Sequence, residues 1–257
     1  RGERREALAL RDGAAVEAGR MRAVRLRAEA LHLLGRHAEA AEAVGPAVAR
    51  LSREQASDPE EVAEAVRALL IRTRVLGSSD EQGSDYNLLL WLLSVARQEM
   101  SRLSWPVRLA EAELLYSQGQ GGEAQAAAIE TLTLNPRAAG AIALMGELAV
   151  DRFDSGTAGQ AATILRELQN ELPPGEGWEP GVSLDAALVE GRSWLREREP
   201  ERGEAIARAA LERFPHSPRL LALEAAIAAG SYRFSRVREL LEAYEERFPG
   251  SALGHFA

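Results

Sequence analysis

Ala209-Ala-Leu-Glu-Arg-Phe-Pro-His-Ser217 and Ala243-Tyr-Glu-Glu-Arg-Phe-Pro-Gly-Ser251 share six of nine residues at a constant offset of 34. The matched pairs are Ala209/Ala243, Glu212/Glu246, Arg213/Arg247, Phe214/Phe248, Pro215/Pro249 and Ser217/Ser251. A fixed period of this length marks a chain built from stacked supersecondary units. Each copy reads as the end of a helix followed by a proline stop, because proline cannot continue the hydrogen-bonded ladder. Phe214 and Phe248 are expected to pack in the core, so the shared stretch sets the repeat length and the functional residues are sought half a repeat away.

Composition agrees with a helical repeat. The chain has 257 residues, 46% of them hydrophobic and only 5% aromatic. Ala, Leu, Glu and Arg dominate, and all are strong helix formers. Apolar residues recur at helical spacings and not with period two, so no sheet is expected. All 31 basic residues are Arg, which reads as GC-rich coding bias. The net charge of −8 argues against a general nucleic-acid binder. Absence of Cys excludes disulfides and thiol chemistry. The longest apolar run, Leu88 to Leu93 and on through Val95-Ala96, is too short to cross a bilayer. The reading is of a soluble chain, cytoplasmic or periplasmic, with both ends cut from a longer one.

Helix start and stop signals divide the chain into six expected helix pairs, at about 14–51, 58–104, 105–135, 138–172, 183–214 and 218–248. Asp58-Pro59-Glu60-Glu61 places a cap, a first-turn proline and two acids at one helix start. Pro46 lies inside a helical pattern and is expected to kink it. Gly77 to Ser84 reads as a polar loop, with Asp85 capping the helix after it. That helix is apolar nearly all round and is expected to be the most buried. Trp91, Trp105 and Trp194 are expected in the core. Pro173 to Gly181 is the longest irregular stretch, and Trp178 within it is a possible loop anchor for a partner.

Small residues recur where paired helices must approach, and the pattern resembles the tetratricopeptide repeat (TPR) family. That family has Gly or Ala near the eighth position of its unit, small residues near the twentieth and twenty-seventh, and Pro near the thirty-second. In one unit Ala112, Gly119, Ala124, Ala128 and Pro136 match, and in the first unit Ala28, Gly35, His37, Ala40, Val44 and Ala47. The fourth pair offers Ala161, Leu165, Leu168 and Pro173, and the fifth Gly203, Ala207, Ala210 and Pro215. In the last pair Val237, Leu241 and Pro249 keep the phase, while Tyr244 replaces the usual Ala. Residues 58–104 are only TPR-like. The resemblance implies an all-α fold, a right-handed α-solenoid of stacked antiparallel helix pairs forming one TPR-like domain of bacterial type.

It also implies a protein–protein interaction scaffold, with the first helix of each pair lining a concave groove for a partner's peptide or helix. Counting back six residues from Gly35, Gly119 and Gly230 gives Glu29, Glu113 and Glu224. Matching Gly146 to the eighth position adds Glu147, and Arg192 takes the same place in the fifth pair. Stacked in a column, these acids suggest a basic or amide-rich partner. Arg22, Arg25, Tyr116 and Asp151 join the expected groove residues. A carboxylate clamp for chaperone tails needs Lys, which the chain lacks. The alternative function is a regulatory or substrate-recruiting helical segment of a larger enzyme or sensor; an α-solenoid enzyme acting on sugars or lipids is a third reading.

No catalytic constellation is present, and neither an enzyme activity nor a cofactor is expected. Gly119-Gln-Gly-Gly122 and Gly156-Thr-Ala-Gly159 follow no strand and carry no Lys, so they read as turns and not phosphate loops. His32, His37, His216 and His255 show no metal-binding spacing. His32 and His37 are five apart with Gly35 between them, which places them on no common helix face.

Overall fold

A computed structural model describes residues 20–32, 34, 36–51, 58–76, 80–171, 180–215 and 217–247. The chain divides into two compact units, Arg1–Leu134 and Asn135–Ala257. The first holds α1 (20–32), α2 (His37–Leu51), α3 (Pro59–Leu76), α4 (Asp80–Val95), α5 (Trp105–Ser117) and α6 (Gly121–Leu134). The second holds α7 (Ala139–Asp151), α8 (Ser155–Glu171), α9 (Pro180–Arg196), α10 (Pro200–Arg213), α11 (Pro218–Gly230) and α12 (Phe234–Arg247). No strand occurs among the described residues. The protein is all-α, and each unit stacks antiparallel helix neighbours in series, as in an α-solenoid.

The helix starts follow local chemistry. Pro59, Pro180, Pro200 and Pro218 each occupy a first helical position, where the missing N–H has no intrahelical role. Ser217 caps α11 by accepting a hydrogen bond from the Leu220 N–H at 3.4 Å. α2 continues across Pro46.

The repeat is phased by one kind of turn. Gly119, Phe153, Arg198 and Tyr232 all have positive φ, at 74°, 61°, 62° and 58°. After each, a backbone N–H reaches five residues back and closes the preceding helix. These bonds run from Gln120 to Leu115 at 3.0 Å, and from Asp154 to Ala149, Glu199 to Trp194 and Arg233 to Ala228, each at 2.9 Å. The same bond runs from Arg36 to Leu31 at 2.9 Å and closes α1. From 119 to 153 and from 198 to 232 the step is 34; from 153 to 198 it is 45. Part of the longer step is α8, which has 17 residues where α6 has 14.

This phasing corrects two expectations. Counted from the turn at Phe153, the repeat positions of the fourth pair fall on Ala158, Ala162 and Leu165, all fully buried, so of the expected set Leu165 takes a different repeat position and Ala161, though buried, falls off the register. Pro173 of the expected set lies outside the described residues. In the last pair α11 runs through Gly230 and the chain reverses at Tyr232, so Gly230 is not the equivalent of Gly119. Seven residues before these four positive-φ turns stand Ala112, Gly146, Gly191 and Ala225, all small and all buried. Tyr244 is buried where a small residue was expected and packs on Leu221 and Leu211.

Residues 58–100 depart most from expectation. α4 starts at Asp80, so most of the expected polar loop is helical. Asp85 is no cap; it lies buried inside α4, with its carboxylate 3.2 Å from Arg72 Nε. The most buried helix of this unit is α3, where Val62, Ala65, Val66, Ala68 and Leu69 have no exposure. The reason is position: α3 packs against α2, α4 and α5 together. In α4, Leu89, Leu92 and Leu93 are buried, but Leu90 and Trp91 are each 44% exposed, and Trp105 is also exposed. A π-helical turn, Ala96–Met100, ends α4, with Ser101 N–H donating to Ala96 O at 3.1 Å.

Candidate interaction face of the first helices

In the first unit α1, α3 and α5 are joined by a row of alternating charges. Arg25 Nη1 donates to Glu29 at 3.0 Å, and its Nε donates to Glu64 of α3 at 2.5 Å. One turn along, Arg67 Nη1 donates to the same Glu64 at 3.2 Å. Its Nε and Nη2 then grip both oxygens of Glu113 in α5, at 2.7 and 3.2 Å. The order is acid, base, acid, base, acid across three helices. The spacing of four on α1 and of three on α3 keeps each helix's charged pair on one face. Burial of Arg67 disfavours its charge, but Glu113 and Glu64 outweigh that cost and raise its pKa. Fork-to-carboxylate geometry of this kind fixes orientation as well as energy.

The second unit repeats the device across α7 and α9. Arg192 pairs with Glu147 and, through Nη2, with Asp151 Oδ1 at 3.2 Å. Arg219 of α11 reaches Asp185 of α9 at 3.0 Å.

The turns fix which residues share a register. Six before Gly119, Phe153 and Arg198 stand Glu113, Glu147 and Arg192. Glu29 stands six before Gly35 in the sequence. Six before Tyr232 stands Ala226, so Glu224 does not belong to the column. Glu224 is buried and turned to its own partner helix, where it accepts a bond from Arg236 Nη2 of α12 at 2.8 Å. Its expected place in the groove came from counting on Gly230, two residues short of the true turn. The remaining acids form no open acidic wall, since Glu29, Glu113 and Glu147 are each matched by an arginine. Sequence spacing located the acids but not Glu64 and Arg67, because α3 lies outside the regular repeat. Arg22 is exposed on α1 and Tyr116 is half-buried on α5. Trp178 lies outside the described residues, and Trp194 is half-buried beneath the Arg202 guanidinium at 4.7 Å.

Elsewhere, Glu204 of α10 holds Arg233 through two bonds of 2.9 and 2.6 Å. An open cleft of about 300 Å³ between α8, α9 and α10 is lined by Arg166, Gln169, Ser183, Glu190, Arg213 and Phe214. The turn residues Phe153 and Tyr232 are 68% and 81% exposed, unusual for aromatics in a left-handed conformation. His32 and His37 do meet, with Nδ1 atoms 3.2 Å apart. Helix-face counting missed the pair, since it assumes one continuous helix. Among the described residues no group of three or more His, Cys, Asp or Glu could hold a metal ion. None of the described helices is long and apolar enough to cross a membrane.

No protein-family model and no curated protein matches the chain. Solved structures do. A tetratricopeptide repeat protein from Parabacteroides merdae ATCC 43184 superposes with a TM-score of 0.58 at 16% identity, covering 91% of this chain and 82% of that one. Pseudomonas aeruginosa pilF gives 0.49 at 16% identity, covering 93% and 97%. With paired helices, a 34-residue step between turns and small residues seven before each turn, the chain has the fold of the tetratricopeptide repeat proteins.

Proposed function

We propose that the chain is a protein-interaction scaffold whose first helices present the binding face for an extended or helical segment of a partner protein. The observation that carries this reading is the bonded row Glu29–Arg25–Glu64–Arg67–Glu113. Arg25, Glu64 and Arg67 are largely covered while Glu29 and Glu113 reach solvent, so five charged side chains form one continuous bonded row across the first helices. Such a row offers polar contacts in a fixed geometry, with Tyr116 beside it on α5 as a rigid amphipathic anchor. The acids are already matched by arginines, so the face suits a segment carrying both charge signs or amides more than a purely basic one. The net charge of −8 supports a protein partner over nucleic acid.

The test uses a photo-crosslinking amino acid at Tyr116 or Arg22, on first helices, and at Ile129 or Ile164, exposed on second helices. Crosslinks to one partner segment from the first set and none from the second are expected. Capture through Ile129 or Ile164 alone would place the interface elsewhere.

A further inference from the structure

We propose that His32 and His37 form a two-imidazole chelate for a divalent first-row transition-metal ion of the Zn²⁺ class. His32 is the last described helical residue of α1 and His37 opens α2. Their Nδ1 atoms stand 3.2 Å apart and their ring centroids 5.1 Å apart, with the ring planes tilted by 50°. A tetrahedral ion holding two nitrogens at roughly 2.0–2.1 Å places them about 3.3 Å apart. With each ring centre about 1.15 Å behind its nitrogen on the metal–nitrogen axis, the centroids fall about 5.2 Å apart. A straight N–H···N bond of the observed length would put them farther apart, at about 5.5 Å. The observed separations match those two nitrogens would have on one tetrahedral ion.

The chemistry of the pair suits the exchange. Without metal, one Nδ1 carries the proton and the other accepts it. On binding, that proton moves to Nε2 of the same ring, and both Nδ1 lone pairs face the ion. Imidazole is a preferred donor for Zn²⁺, Ni²⁺ and Cu²⁺. The neighbouring cation Arg36 is engaged by Glu39, with bonds of 2.7 and 2.5 Å, which limits its repulsion of an incoming ion. Two protein donors leave two tetrahedral positions for water. With both rings already in contact on one chain, the second nitrogen is an intramolecular ligand, and losing either ring loses that gain.

The experiment is a calorimetric titration of the full chain with ZnCl₂, repeated with Co²⁺ and followed by visible absorption. One ion per chain is expected from this pair, with the intense absorption of a tetrahedral cobalt centre. His32→Gln and His37→Gln are each expected to weaken it roughly tenfold or more, and the double variant His216→Gln/His255→Gln to leave it unchanged. Because a variant could perturb the turn, histidine ring NMR of the unaltered chain provides a second readout: Zn²⁺ must shift both His32 and His37. No binding, binding indifferent to both single variants, or ring signals of His32 and His37 that stay fixed while others move would overturn the proposal.

Discussion

Gly146 lies in the middle of α7, where glycine is intrinsically unfavourable, and the reason is distance. A Cβ there would sit 2.8 Å from Val189 Cγ1 and 3.1 Å from Ala161 Cβ. Val189 is fully buried and β-branched, so it has no easy rotamer to escape to. A Cβ at Gly191 would meet Leu223 Cδ2 at 2.7 Å, the far end of a more flexible side chain. Gly146→Ala is therefore expected to lose about 1–2 kcal/mol, even after the helix-propensity gain. Gly191→Ala is expected to lose clearly less, and urea unfolding of the two variants checks the order. Tyr232 poses the reverse case. It holds φ 58° with an exposed side chain, so Tyr232→Gly is expected to raise stability by up to about 1 kcal/mol. At this scale the sequence was legible where glycine occupied the turn, as at Gly119. It was not legible where Phe153, Arg198 and Tyr232 hold the same conformation, because no local signal announces positive φ in such residues.

Among the elements, the charge row fixes how α1, α3 and α5 sit together. Arg67→Ala leaves Glu64 and Glu113 facing one another without their shared cation, and a loss of about 2 kcal/mol is expected. Reversing the pair as Arg67→Glu with Glu113→Arg is expected to recover part of what each single reversal loses, which a double-mutant cycle measures. In the second unit Glu204 ties α10 to the start of α12. The two bonds from Arg233 hold its carboxyl below the ordinary glutamate value, against the opposing effect of burial. A depressed carboxyl stabilises fully above its unfolded value, about 4.3, and loses that contribution as pH falls through the lower folded value. Thermal melts are therefore expected to drop on acidification below about pH 4.3, and to drop less in Glu204→Gln. The helix pairs themselves were legible from proline, glycine and apolar spacing. α3 and α4 were harder, since Leu88 to Leu93 advertises burial that tertiary position gives instead to Val62, Val66 and Leu69.

For the molecule as a whole, the 34-residue step read from Glu212-Arg213-Phe214-Pro215 and its copy recurs between the turns on both sides of the long 153-to-198 interval. The composition limits and the helical pairing were therefore open to reading from one chain. The matching of acids to arginines was not, because it depends on which helices become neighbours. Glu64 and Arg67 fall outside the regular spacing, and only packing of α3 between α2, α4 and α5 brings them to Arg25 and Glu113. Hydrogen exchange read by mass spectrometry, with and without the crosslinked partner segment added as a peptide, locates the binding face directly. Added protection in first helices such as α1, α3 and α5, with α2 and α6 unchanged, is the expected result. Protection confined to α2, α6 or the second helices of the other unit would contradict the placement of function on the first-helix face.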